Sequence, residues 1–545
     1  MNTYSFFRPA LLLAVTTSAA LAHDEPGTHL DAVSWQPTAY AESAAHAPRP
    51  LPDRIVLTWT GDPSTSQTVT WRTDTSIERA VAELAIANDN GRALQPVRIA
   101  AETEEFVSNL GEAHQHHAEF VGLTPDTLYA YRVGDGLNWS EWFHFRTASR
   151  DAQPFKFVYF GDAQNDVKTH WSRVFRESFR DAPRAAFTLH AGDLINNANN
   201  DAQWGEWFGA PGWVNATVPV IAAPGNHEYY RYGAGPETDR LWDTANGETV
   251  AVSVQLEVLR DPAGAKVGTR VEATATDGRR AAVLLDAQGL ITGMDAGFTA
   301  LTGYNLATLR GVQPDKLPLR DRVAVQGERR ISEHWRPQFS FPEQAVPAGL
   351  EETCYYIDYQ GARIIALNSN EKQEEQVAWL EQVLSNNPQR WTIVTFHHPI
   401  FSPAKNRDNP KLRELWKPVF DAHKVDLVLT GHDHTYARTG DVSATVGIHN
   451  LPAGYNQAYD PAIGTVYVVS VSGPKMYEIT QEAFVRSAED TQLYQIISVD
   501  GQTLSFEART ATGRLYDRFE LIKRDGQPNE LREALPPLNR RPDER

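Results

Sequence analysis

Six residues of metal-ligating type sit where apolar runs end. Phe155 to Phe160 leads into Gly161-Asp162, and Ala185 to Leu189 leads into Gly192-Asp193. Val218 to Ala222 precedes Pro224-Gly225-Asn226-His227-Glu228, Ile393 to Phe396 precedes His397-His398-Pro399, and Leu427 to Leu429 precedes Gly431-His432-Asp433-His434. Asp162, Asp193, Asn226, His397, His432 and His434 offer oxygen and imidazole donors, a set suited to divalent or trivalent first-row metals. Their spacings are 31, 33, 171 and 35 residues up to His432. One Gly-Asp says almost nothing; five loops in the same context say much more. Cys354 is the single cysteine, which excludes a disulfide framework and any zinc site built on several thiolates.

These loops need strands and helices to hold them. Strand, helix, strand with polar residues at each carboxyl end is α/β architecture, and ligands collect at those ends. The apolar spacing predicts helices over residues 170–179, from Ser369 through Val377, Leu380 and Leu384, and around Leu412, Leu415, Trp416, Val419 and Phe420. Further strands are expected at 466–470 and 494–519. Ahead of this domain, residues 51–150 alternate as strands do. The segment Leu123 to Tyr129 resembles the corner of a fibronectin type III sandwich, where a Tyr hydroxyl ties a crossover to the backbone. His114 and His116 share a strand face with no carboxylate beside them, and read as strand surface rather than metal ligands.

With 545 residues the chain requires more than one domain. Residues 1–22 have the form of a secretory signal: Arg8, an apolar stretch from Ala10, and Ala20-Leu21-Ala22 as the cleavage site. Cleavage would take the formal charge from −18 to 50 − 69 = −19. That balance argues against a general nucleic-acid binder, and no later apolar run reaches spanning length. The expected product is therefore secreted or periplasmic, without a membrane span. Residues 23–50 read as an arm or linker, and 524–545 as a loose tail.

Taken together, the five loops and the sandwich resemble the calcineurin-like metallophosphoesterases, and more closely the purple acid phosphatases with their fibronectin-like N-terminal domain. The resemblance spans about residues 51–240 and 330–520. It implies an α/β metallophosphoesterase domain over 151–523, two packed sheets flanked by helices in an α/β/β/α sandwich, preceded by the all-β sandwich. It also implies two metal ions, drawn from Fe, Zn, Mn or Mg. One would be held by Asp162, Asp193 and His434; the other by Asp193, Asn226, His397 and His432, with Asp193 bridging. Two cations ~3.5–4 Å apart can turn a bridging water into hydroxide for in-line attack on phosphorus.

The resemblance further assigns His227 as the histidine that contacts phosphate or protonates the leaving group. Glu228 would orient it or stand as an exposed acidic residue, and His398 would reach substrate or cap its loop. Where the family carries a ligating Tyr, this chain has Asn196, so a colourless enzyme is expected. In the loop after the fourth motif, Lys405 or Arg407 would contact phosphate or belong to a solvated basic turn. The expected function is an acid-phosphatase-like hydrolase of small phosphomonoesters. A phosphodiesterase or nucleotidase on the same metal core is the alternative, followed by a non-catalytic surface binding protein. The long interval between Asn226 and His397 accommodates an insertion at about 243–330, with alternation at Val250, Val252, Val254, Leu256 and Val258 that predicts a β hairpin or small sheet. Its run from Leu285 to Leu309 faintly resembles part of a PAS module; a subdomain shaping the cleft, together with Tyr229 and Tyr230, is the favoured reading.

Overall fold

In a computed structural model, the described residues run from 40 to 533, apart from 233–238, 246–248, 261–265, 276–277, 287–289, 311–320, 324–327, 405–406, 441–457 and 481–483. The signal segment 1–22, most of the arm, Lys405 and residues 534–545 fall outside them. Residues 231–330 make one compact unit; 39–230 with 331–545 make the other.

The larger unit begins with a sandwich of two four-stranded antiparallel sheets. Strands Asp53–Thr58, Gln67–Thr73, Gly111–Phe120 and Glu102–Ser108 form one; Val97–Ala100, Val81–Ile86, Leu128–Gly134 and Phe143–Arg146 form the other. Their inward residues, including Leu57, Val69, Trp71, Phe120, Tyr131 and Phe145, share one apolar cluster. The Tyr129 hydroxyl accepts the Thr124 N–H at 2.9 Å, the corner tie that the sequence led us to expect. His114 and His116 are not surface residues. His116 is 1% exposed and sits between the hydroxyls of Thr73 and Thr103, while His114 Nδ1 donates to the Ile77 carbonyl. Burial draws these imidazoles into hydrogen bonds, as it must for a polar ring out of water.

Two seven-stranded sheets follow. In the first, Phe155–Phe160, Thr188–His190 and Val220–Ala222 run parallel. Leu493–Asp500, Thr503–Thr510, Leu515–Arg524 and Gln527–Glu533 extend that sheet as antiparallel strands. In the second, Ala362–Ala366, Trp391–Thr395, Leu427–Thr430 and Val466–Val469 are parallel neighbours. Side chains alternate across a strand, so each strand of the second sheet feeds two cores. Ile364, Ala366, Ile393, Leu427 and Leu429 join the cluster that contains Phe157, Tyr159, Leu189 and Ile221 of the first sheet. Ile365, Val394 and Val428 turn the other way, onto helices Gln376–Ser385 and Pro410–Ala422 through Trp379, Leu380, Trp416 and Phe420.

Three boundaries differ from expectation. Helix Gln376–Ser385 begins seven residues after Ser369, because Ser369 lies in the preceding loop, bonded to His398. The arm, read as an arm or linker, is docked at its end: the His46 carbonyl accepts Arg72 Nη2, and Asp74 N–H donates to Arg49 O. The tail is ordered as far as Glu533, where Asn529 donates to Asp426, Leu531 packs on the core and Glu533 meets Arg438. Residues 231–330, taken alone, hold a six-stranded antiparallel sheet with helices Ala296–Thr302 and Leu306–Leu309. Thr249–Arg260 pairs with Lys266–Ala275 as the alternation predicted. Val252, Val271, Val283, Phe298 and Leu301 form its own core.

Candidate metal centre

The first sheet delivers Asp162, Asp193 and Asn226 from the carboxyl ends of its three parallel strands; the second delivers His397, His432 and His434 from two of its own. Acids and amide therefore approach from one side and imidazoles from the other. Asp193 Oδ2 lies 3.2 Å from His397 Nε2, and Asn226 Oδ1 lies 3.1 Å from that same nitrogen. His432 Nδ1 is 3.0 Å from His397 Nε2, and His434 Nε2 is 3.3 Å from Asp162 Oδ2. Two groups of donor atoms can each close around an ion: Asp162, Asp193 and His434, and His397, His398 and His432.

The glycines of the motifs make this proximity possible. A Cβ on Gly225 would lie 2.2 Å from Asp193 Oδ1, and one on Gly431 would lie 2.2 Å from Asp162 Oδ1. Neither space admits a side chain. Asp193, His432 and His434 all have positive φ (52°, 74° and 48°), a strained arrangement for these residue types that surrounding contacts must hold.

Backbone carbonyls set the histidine tautomers. His397 Nδ1 is 2.9 Å from Ala191 O, and His434 Nδ1 is 2.9 Å from Lys475 O. A carbonyl only accepts, so Nδ1 carries a proton in both rings and Nε2 is left to face the carboxylates. His227 follows the same rule: Nδ1 donates to Asn196 O, which leaves Nε2 3.9 Å from Asp193 Oδ2.

The electrostatics ask for a cation. Asp162 and Asp193 are fully buried, and Asp162 Oδ2 makes no hydrogen bond. Burial, with Asp193 adding to it and His397 opposing, pushes the Asp162 carboxyl up to about 7. Burial also opposes ionisation of Asp193, yet the charges of His397 and His227 hold it well below the usual carboxylate range. His397 moves up to about 9: burial works against its charge, but Asp193 and Asp162 outweigh that. Burial and then Lys475 bring His434 down to about 3, leaving its ring neutral. An orphaned buried carboxylate oxygen of Asp162 facing the neutral His434 ring is a donor pair that metal ions fit.

Other expected roles change. Glu228 does not orient His227. Its buried carboxylate accepts the N–H groups of Asp193 (2.8 Å), Leu194 (2.7 Å) and Gly225 (2.6 Å), because the loop turns it inward beneath the ligands. Arg407 is spent on the fifth loop, with Nε on Asp433 Oδ1 and Nη2 on His432 O, and its guanidinium over the Tyr477 ring, so it braces a ligand instead of reaching for phosphate. Asn196 lends His227 its carbonyl and accepts Asn165 Nδ2 at 2.7 Å. His398 donor atoms lie among those of His397 and His432, nearer the centre than a loop cap requires. Tyr229 does not line a cleft: it is buried, with its hydroxyl bonded to Glu371 and Asn368. Residues that the motifs did not mark are Lys475, whose carbonyl orients His434, Ser369, which holds His398, and Gln164. Only Gln164 left a sequence signal, its place two residues after Asp162.

Comparisons with known proteins bear on the family and the fold. A profile described as purple acid phosphatase, N-terminal domain, matches residues 52–147, and one described as calcineurin-like phosphoesterase matches 155–280 and 325–436. An uncharacterised protein of Mycobacterium tuberculosis is 23% identical over 441 residues, 75% of this chain and 67% of its own length. A probable inactive purple acid phosphatase of Arabidopsis thaliana is 21% identical over 443 residues, 75% of this chain and 57% of its own. Among solved structures, a purple acid phosphatase from yellow lupin seeds superposes with a TM-score of 0.55 at 19% identity, across 87% of this chain and 75% of that one.

Proposed function

The chain belongs to the calcineurin-like phosphoesterases and carries the N-terminal domain of purple acid phosphatases, and from that membership we propose that it is a secreted, dinuclear metal-dependent hydrolase of small phosphomonoesters. The observation that carries this reading is the convergence of Asp162, Asp193, Asn226, His397, His432 and His434, with His397 and His434 held by backbone carbonyls in the ligating tautomer. Asp162, Asp193 and His434 would hold one ion; Asp193, Asn226, His397 and His432 the other. A metal pair supplies water activation and neutralisation of phosphoryl charge.

The protein's own groups supply the rest. His227 keeps its proton on Nδ1 by donating to Asn196 O, so Nε2 faces the centre and can exchange a proton with a leaving-group oxygen. Glu228 fixes the backbone of Asp193, and Arg407 fixes that of His432. No helix among the described residues is long and apolar enough to cross a membrane. Export rests on the form of residues 1–22.

The test is hydrolysis of p-nitrophenyl phosphate and bis(p-nitrophenyl) phosphate by protein reconstituted with Fe, Zn, Mn or Mg. Turnover of the monoester is expected; preference for the diester would move the assignment to a phosphodiesterase. No turnover of either, with any metal, would leave a binding protein. The Asp193→Ala variant should lose metal and activity together.

A further inference from the structure

His227 stands at the rim of the candidate centre, its side chain 27% exposed. Its backbone is tied to Asp193, whose Oδ1 accepts the His227 N–H at 2.9 Å. The direction of its ring is set elsewhere, by the bond from Nδ1 to the Asn196 carbonyl at 2.5 Å. That carbonyl belongs to the peptide unit whose other edge is the Asn197 N–H. The Asn197 N–H donates to Gln203 Oε1 at 2.8 Å, and the Asn196 N–H donates to the same oxygen at 3.0 Å.

A trans peptide is planar, with its N–H and C=O pointing in opposite directions. An acceptor that fixes the Asn197 N–H therefore fixes the Asn196 carbonyl as well, and the bonded N–H makes that carbonyl a stronger acceptor. Gln203 is itself held. It lies in the first turn of helix Asp201–Gly209, where its N–H donates to the Asn200 side chain at 3.3 Å. Asp201 pairs with Arg54 at 2.6 Å, and the buried Trp204 donates Nε1 to Ala198 O at 2.8 Å, which ties the helix to the loop. Asn197 is exposed, while Asn196 and Gln203 are half-buried. Water can therefore satisfy both N–H groups when Gln203 is removed. It does not hold the peptide plane in one orientation.

We propose that Gln203 is a positioning residue for His227: its Oε1 holds the Asn196–Asn197 peptide so that the Asn196 carbonyl keeps the His227 ring turned with Nε2 toward the leaving group. This rests on the role given to His227 above. It makes Gln203 matter most for esters whose leaving oxygen needs a proton, such as alkyl phosphates, and little for those whose leaving group departs as a stable anion.

The test compares ethyl phosphate with p-nitrophenyl phosphate in metal-reconstituted full-length protein. Gln203→Ala should lower kcat for ethyl phosphate by about tenfold or more, and for p-nitrophenyl phosphate by less than about twofold. Its KM values, metal content and thermal midpoint should stay at the wild-type level. Gln203→Glu, whose carboxylate oxygen can accept the same two N–H groups, should restore kcat for ethyl phosphate. In a His227→Asn background, Gln203→Ala should bring no further loss, because the two residues act as one unit. Equal losses on the two esters, lowered metal content, a full loss that persists in the His227→Asn background, or no rescue by Glu overturns the proposal and leaves the phosphoesterase reading standing. Should Gln203→Ala not fold, Gln203→Met, which keeps the reach and removes the acceptor, takes its place. Equal losses on the two esters in His227→Asn alone would overturn the roles of both residues while sparing the metal centre. A wild-type protein that hydrolyses neither ester overturns the reading above and this one with it.

Discussion

Glu228 and Asp193 are joined through the main chain: a fully buried carboxylate oxygen receives the Asp193 N–H at 2.8 Å, while its twin receives that of Leu194. Glu228→Ala strands the buried N–H groups of Asp193, Leu194 and Gly225, and loosens a longer bond from Ile195. Each stranded donor costs about 1–3 kcal/mol, so a loss of roughly 3 kcal/mol or more in unfolding free energy is expected, with lower metal content. Glu228→Gln should not rescue it, since an NH2 would then confront an N–H. Denaturant unfolding and metal analysis of both variants check this; a rescue by Gln would refute it.

His227 is expected to act on the leaving group. Its replacement by Asn should lower kcat for alkyl phosphates by about 10²–10⁴-fold, and much less for p-nitrophenyl phosphate, whose leaving group needs no proton. Metal content should stay at the wild-type level. Equal losses on the two substrates would count against the role.

Gly431→Ala introduces a Cβ 2.2 Å from Asp162 Oδ1, with the Ala191 carbonyl 3.2 Å away on the same side. Asp162 is held by the His432 N–H and has no room to retreat. We expect metal uptake to fall by an order of magnitude or more with the fold retained, read by circular dichroism beside metal analysis.

The two domains meet at an ion cluster with a calculable pH signature. Asp201 accepts from Arg54 (2.6 Å), Arg72 (3.3 Å) and His334 (3.2 Å). Burial opposes its ionisation, but the hydrogen bonds from His334 and Arg54 and the charges of Arg54 and Arg72 hold it well below the ordinary carboxylate range. A depressed carboxyl contributes stability that is complete above its unfolded value of about 3.9 and is lost as pH falls beneath it. Asp201→Asn should therefore cost about 3 kcal/mol at pH 7, with the gap to wild type closing below pH 4. Unfolding curves from pH 7 to pH 3 measure it; a gap that widens in acid would show the sign to be wrong.

Iron-loaded protein should show no strong visible phenolate band, because Asn196 stands at the family's Tyr position and its amide is bonded to Asn165. An absorption spectrum decides this in one measurement.

The six loop-end positions that converge were readable because their cause is local: a buried parallel strand is an apolar run, and the residue after it is polar only for a reason. The Tyr129 corner was readable on the same ground. Lys475 and the true work of Glu228 were hidden for the opposite reason, and the place of Gln164 two residues after Asp162 gave no hint of its partners. Their partners lie between 29 and 270 residues away for Gln164, 41 for Lys475 and 35 for the Glu228–Asp193 bond. No window of sequence carries a main-chain hydrogen bond between two distant loops. Arg407 was misjudged because an arginine near a phosphate site looks the same in sequence whether it greets the substrate or steadies a neighbour.

The division of donors between the sheets, acids and amide on one and imidazoles on the other, has a bearing beyond catalysis. Ions held there would act as rivets through both layers, so parting the sheets would require surrendering them. At a free metal concentration a hundred times the dissociation constant, one such ion adds about 2.7 kcal/mol to the native state. The lifetime of the folded enzyme would then rise and fall with the metal supply of its surroundings, and a strong chelator would act on it as a slow denaturant.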